Sequence, residues 1–143
     1  MPDILHDLPI DAPASAVYQA VTTPAGLDAW WTARSAGTPR VGSEYQLWFG
    51  PEYDWRAKVI QASADQAFQL EMIKSDPDWN GTRIGFRLTG DDKTTHLSFY
   101  HTGWPEVNAH YRTSCYCWAM YLRILKRHLE VGERVGYEDR LSV

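Results

Sequence analysis

Between residues 44 and 101 apolar and polar positions alternate with a period of two. Tyr45, Leu47 and Phe49 interleave with Glu44, Gln46 and Trp48, and Tyr53, Trp55, Ala57 and Val59 interleave with Asp54, Arg56 and Lys58. Phe68, Leu70 and Met72 continue the pattern. Ile84, Phe86 and Leu88 then run against Arg83, Gly85 and Arg87, and Leu97, Phe99 and His101 against His96, Ser98 and Tyr100. Successive side chains of a strand point to opposite faces, so each run predicts a strand with one buried face. Gly50-Pro51, the stretch Ser75 to Gly81 and the turn Gly90 to Lys93 separate the runs, which predicts an antiparallel meander.

The two ends of the chain follow other periods. Ile4 to Asp11 reads as a first strand with Ile4, His6, Leu8 and Ile10 on one face, ended by Pro13. Val17, Ala20 and Val21 recur at helical spacing, predicting a short helix over Ala14 to Val21. Thr23 as cap and Pro24 as first helical residue start a second short helix that runs to about Trp31. Ala33 to Val41 is rich in Gly, Pro and Ser and reads as a loop. Beyond the last strand, Tyr111, Cys115, Trp118, Leu122, Leu125 and Leu129 form one apolar helical stripe. Gly132 ends that helix, and Lys126, Arg127 and His128 suit the negative end of its dipole. One strand, two short helices, five strands and one long helix predict an α+β fold in a single domain over residues 1–143.

Composition narrows the function classes without naming one. The chain is 44% apolar and 22% charged, which suits a globular protein and excludes disorder, coiled coil and collagen. Its net charge of −4 lacks the basic surplus of a nucleic-acid binder. The longest apolar run, Cys115 to Leu122, is far short of a membrane span. The start Met1-Pro2-Asp3-Ile4 has no signal-peptide character, so a cytoplasmic location is expected. Cys115 and Cys117 diverge on a helix and form no disulfide framework. His101, His110, Cys115, Cys117 and His128 lack the paired spacing of a zinc site, so neither metal nor cofactor is expected. The carboxylate pairs Glu52/Asp54, Asp76/Asp78 and Asp91/Asp92 fall in turns and read as solvated turn residues. One feature does stand out: seven Trp, eight Tyr and four Phe make the chain 13% aromatic.

Two stretches carry a resemblance. Ile10-Asp11-Ala12-Pro13-Ala14-Ser15-Ala16-Val17-Tyr18-Gln19-Ala20-Val21-Thr22, followed by Leu27-Asp28-Ala29-Trp30-Trp31, resembles the entry strand and paired helices of the START-like helix-grip (SRPBCC) superfamily. Thr95-His96-Leu97-Ser98-Phe99-Tyr100-His101-Thr102-Gly103-Trp104, followed by the helix with Trp118 and Leu129-Glu130, resembles that superfamily's last strand and closing helix. The match is best to homologues of the C-terminal domain of the heat-shock protein 90 ATPase activator. The resemblance implies a curved antiparallel sheet wrapped around the long C-terminal helix, with a ligand cleft between them. It implies a small hydrophobic molecule as partner, a polyketide cyclase- or dehydratase-like enzyme as the alternative, and chaperone stimulation as the third reading. Only the activator's C-terminal type of domain has a counterpart here, which weighs against the third. Monomer and homodimer both stay open.

In such a cleft the expected lining is Trp30, Trp31, Phe49, Trp55, Met72, Phe86, Phe99, His101, Trp104, Tyr111, Cys115 and Trp118. Aromatics also bury large areas in any core, so core filling is the competing role for each. His101 is the candidate acid/base, because it shares the inward face of Leu97 and Phe99. A neutral histidine bonded near the Gly103 turn is its structural alternative.

Overall fold

The computed structural model describes residues 1–143. Its elements run β1 (Ile4–Ile10), α1 (Ala14–Thr22), α2 (Pro24–Trp30), β2 (Arg34–Ala36), β3 (Glu44–Trp48), β4 (Asp54–Ser63), β5 (Ala67–Lys74), β6 (Arg83–Gly90), β7 (Thr95–Thr102) and α3 (Ala109–Val131). A short 3-10 turn, Tyr137–Ser142, closes the chain. The strands form one seven-stranded antiparallel sheet in the order β1-β7-β6-β5-β4-β3-β2. Every strand but the first pairs with its sequence neighbour, and β1 returns to the open edge of β7. This is the helix-grip fold. Register shifts in the β4–β5 ladder, at Arg56/Ala57 and Val59/Gln61, bend the sheet as bulges do.

The inward faces are those that the alternation marks. Tyr45, Leu47, Ala57, Val59, Phe68, Leu70, Met72, Ile84, Phe86, Leu97 and Phe99 are all buried in one core with Val17, Leu27, Trp30 and Leu125. On the outward face Arg83 pairs with Glu71 at 3.5 Å and Arg56 with Asp54 at 3.1 Å, so the basic positions are met by acids. One expectation needs correction. The stretch read as a loop over Ala33 to Val41 contains β2, three residues that pair with β3 while Arg34 lies over the Trp48 ring at 4.3 Å. The chain beyond Gly132 is also structured, as described below.

Local chemistry sets the helix ends. Thr23 Oγ1 accepts the Gly26 N–H at 3.0 Å and Pro24 fills the first turn of α2. Gly26 permits the tight α1–α2 corner, since a Cβ there would sit 2.5 Å from the Gln19 carbonyl oxygen. Asn108 caps α3 by accepting the Tyr111 N–H at 2.8 Å. Gly132 ends it at φ 70°, a left-handed conformation that favours glycine.

His101 joins sheet to helix. It is fully buried on β7, opposite Ile84 of β6. The Trp118 indole N–H donates to His101 Nδ1 at 3.1 Å. The ring proton therefore sits on Nε2, which donates to Thr82 Oγ1 at 2.8 Å, and the Thr82 hydroxyl donates to the Trp79 carbonyl at 2.5 Å. Each donor meets one acceptor, and the chain runs in one direction only. Burial, and then the nearby His110, push the His101 pKa from 6.5 down to about 3.

A protonated His101 would lose the Trp118 bond, which gives stability a defined pH dependence. The unfolded chain takes up this proton near pH 6.5 and the folded chain only near 3. Stability is therefore full above pH 6.5 and is lost as pH falls through that window, by up to roughly 5 kcal/mol from this group. Exposed carboxylates with lowered pKa values, such as Asp54 and Asp91, act only below their ordinary value of 3.8. In denaturant unfolding at graded pH, His101→Gln should flatten the slope between pH 6.5 and 5. His101→Ala should cost about 3 kcal/mol at neutral pH, from the orphaned Trp118 and Thr82 groups and the cavity. A slope left unchanged would refute this role.

Candidate functional site

A cleft of about 270 Å³ opens between α3 and the β3–β4 end of the sheet. α2 hands over Trp31 at its C-terminal end, and the β3–β4 hairpin supplies Phe49, Tyr53 and Trp55. The β5–β6 connection contributes Asp76 and Trp79. α3 presents His110, Thr113, Ser114, Cys117, Trp118 and Tyr121, a set at i, i+3, i+4 spacing that follows one helix face. Tyr137 of the 3-10 turn completes the wall.

Five of these rings form a closed cycle. Centroid separations are 5.6 Å for Trp31–Phe49, 5.0 Å for Phe49–Trp55 and 4.9 Å for Trp55–Trp79. The cycle continues with 5.9 Å for Trp79–Trp118 and returns through 5.1 Å for Trp118–Trp31. Tyr53, Tyr121 and Tyr137 flank it, on Trp55, Trp118 and Phe49 respectively. Four of these contacts are edge-on or tilted and the Trp79–Trp118 pair is stacked. Aromatic pairs favour edge-on and offset-stacked arrangements over a face-to-face sandwich. Burial pushes the Tyr121 hydroxyl up to about 12 and the Cys117 thiol above its ordinary value, so both are neutral at pH 7.

One end of the cleft is acidic. His110 Nδ1 lies 3.1 Å from Asp78 Oδ2, and His110 Nε2 lies 3.8 Å from Asp76 Oδ2. Asn108, besides capping α3, donates from Nδ2 to Asp78 at 3.3 Å. At the other end Arg140, only 3% exposed, pins the closing turn. It donates to the carbonyls of Asp28 at 2.6 Å and of Thr32 and Val135 at 3.1 Å. Tyr137 donates to the Phe49 carbonyl at 3.2 Å, which holds its ring beside the cleft.

Of the expected lining, Trp31, Phe49, Trp55 and Trp118 come together here. The others do not line the cleft. Trp30, Met72, Phe86 and Phe99 are core residues, and Trp30 spends its indole N–H on the Ala20 carbonyl at 2.9 Å. His101 lies behind Trp79 and Trp118, with both ring nitrogens engaged. Trp104 is fully buried, Tyr111 donates to the Asp3 carbonyl at 2.6 Å, and Cys115 faces His6. The apolar stripe of α3 is its packed face, and the cleft belongs to the adjacent, more polar stripe. Trp79 was hidden in a Ser-Asp-Pro-Asp-Trp-Asn-Gly stretch that reads as an ordinary loop. Its neighbours fold the loop inward, through the Trp79 and Asn80 N–H groups on the Asp76 carbonyl and Ser75 on the Asn80 side chain. Asp76 and Asp78, read as solvated turn residues, flank it at the cleft. A tryptophan inside such a polar run was the one available signal.

Residues 11–130 match the family model for Activator of Hsp90 ATPase homolog 1-like protein. Among solved structures, that of the Aha1 dimer from Colwellia psychrerythraea shares 32% identity over 93% of this chain and 99% of its own, with a TM-score of 0.83. CalU16 from Micromonospora echinospora matches at 16% identity over 98% of this chain and 81% of its own, TM-score 0.76. SSP2350 from Staphylococcus saprophyticus matches at 18% identity over 94% and 96%, TM-score 0.77. These last two share the fold. No curated protein matches the chain by sequence. With 120 consecutive residues (11 to 130) under the family model, and with the sheet, cleft and closing helix in place, the chain belongs to the family of Activator of Hsp90 ATPase homolog 1-like proteins.

Proposed function

We propose that the protein binds a small, mostly apolar or aromatic molecule in the cleft beside α3. The observation that carries this reading is the closed cycle of five aromatic rings, which borders open space instead of filling it. Phe49, Trp55 and the flanking Tyr53, Tyr121 and Tyr137 are part-exposed around this space, and apolar surface facing water is unfavourable unless something covers it. An apolar cavity of about 150 Å³ holds benzene, so about 270 Å³ suits a molecule of one or two rings. A few hydroxyls (Tyr53, Thr113, Ser114, Tyr121) are in place to orient it.

Binding is favoured over acid/base catalysis through His101. Its nitrogens hold Trp118 and Thr82, and a pKa of about 3 keeps it unprotonated at neutral pH. Nothing about the cleft speaks for chaperone stimulation. The Colwellia relative is a dimer, and we infer the same state here; light scattering that gives 16.4 kDa and not twice that would count against it.

Tryptophan emission should report binding directly, since four indoles border the cleft. Titration with 2-naphthol is expected to quench it with a dissociation constant of about 10–100 μM. Cys117→Trp, which places a large side chain into the open space, should weaken binding at least about tenfold while leaving thermal stability within a few degrees. Equal affinity in this variant would show that the cleft is not the site.

A further inference from the structure

We propose that the cleft selects organic cations, molecules with an apolar or aromatic body that ends in an alkylated ammonium group. The proposal rests on the ligand-binding reading above and names its chemical class. Eight of the thirteen lining residues are Trp, Tyr or Phe. Their ring faces are electron-rich and attract a cation within about 6 Å, most strongly where water is excluded. No Lys or Arg lines the cleft. Arg140, beside the cleft, lies over the Tyr137 ring at 5.4 Å and spends its guanidinium on three backbone carbonyls.

The carboxylates complete the selection. Asp76 lines the cleft, and its side chain accepts no hydrogen bond from the protein; its nearest partner is His110 Nε2 at 3.8 Å. Asp78 is held by Asn108 and His110, and thus by the cap of α3. The two flank Trp79, a member of the aromatic cycle, so negative charge and π faces meet at one end of the cleft. Even a protonated His110 leaves two carboxylates against one imidazolium. An anionic ligand would find no countercharge there, and a neutral one would strip water from Asp76 without replacing its interactions. Alkylation of the nitrogen adds apolar surface that the aromatic walls can cover while the charge stays over their faces. The net charge of −4 steers cations toward the molecule as a whole.

Phenyltrimethylammonium and tert-butylbenzene differ by one atom, a cationic nitrogen against a neutral carbon, and test the proposal on the full chain. Titrated by tryptophan fluorescence at 0.15 M salt, the cation should bind about tenfold or more tightly than its neutral isostere. Asp76→Asn, at a half-buried position whose side chain makes no hydrogen bond within the protein, is expected to cut that preference to about threefold or less, with tert-butylbenzene bound as tightly as before or more tightly. Equal affinity for both probes, or a preference untouched by Asp76→Asn, would overturn the cation proposal and leave apolar ligand binding standing. Failure of both probes to bind would remove the ligand-binding reading itself.

Discussion

Trp118 approaches the sheet along a hydrogen-bond chain that admits one arrangement: indole N–H to His101, His101 to Thr82, Thr82 to the Trp79 carbonyl. A buried polar group left without a partner costs about 1–3 kcal/mol, so each link penalises any slippage of α3 over β7 and β6. The same chain holds the backbone of the β5–β6 connection at Trp79. Three separate pieces of the molecule, α3, β7 and the β5–β6 connection, are thus brought to one register. Trp118 is held at one end of that chain through its indole N–H and Trp79 at the other through its backbone carbonyl, and their indoles stack in the cleft.

The surrounding packing explains how the fold keeps open space beside so much aromatic surface. Collapse of the cleft would require Trp79 and Trp118 to move, and both are fixed by groups behind them. The remaining members of the cycle are fixed by the backbone: Trp31 follows α2 directly, Phe49 sits at a hairpin end and Trp55 belongs to β4. Edge-on and tilted contacts then lock ring against ring. The rigid frame lies in the sheet and helix ends, and the tyrosines form the softer rim.

Much of this architecture was legible in the residues, because alternation and helical stripes report burial directly. His101 is an instructive case. Its position on the inward face followed from its register with Leu97 and Phe99, yet its role depends on Thr82 and Trp118, which no sequence spacing brings to it. The lining of the cleft was harder to read for a related reason. A packed helix face is apolar, whereas a face that borders a cleft carries Thr, Ser and Cys beside its aromatics, so the stripe through Tyr111, Cys115 and Leu122 drew attention away from Thr113, Ser114 and Cys117. Trp79 lacked any periodic context, and Tyr137 lay past the helix stop at Gly132. Trp79 is placed by the hydrogen bonds of its own loop and its packing on His101, and Tyr137 by its bond to the Phe49 carbonyl.

The turn at Tyr137–Ser142 lies outside the family-matched span of 11–130, yet it supplies one wall of the cleft. Its attachment is modular: Arg140 grips carbonyls at the end of α2, and those carbonyls exist whatever residues follow position 131. A chain built this way separates foldability from chemical taste. Substitutions in this turn would reshape the wall of the cleft at Tyr137 without touching the His101 linkage. Reshaping that wall needs no rearrangement of the frame, because the turn is held by backbone carbonyls of the α2 region and not by the sheet's ladder.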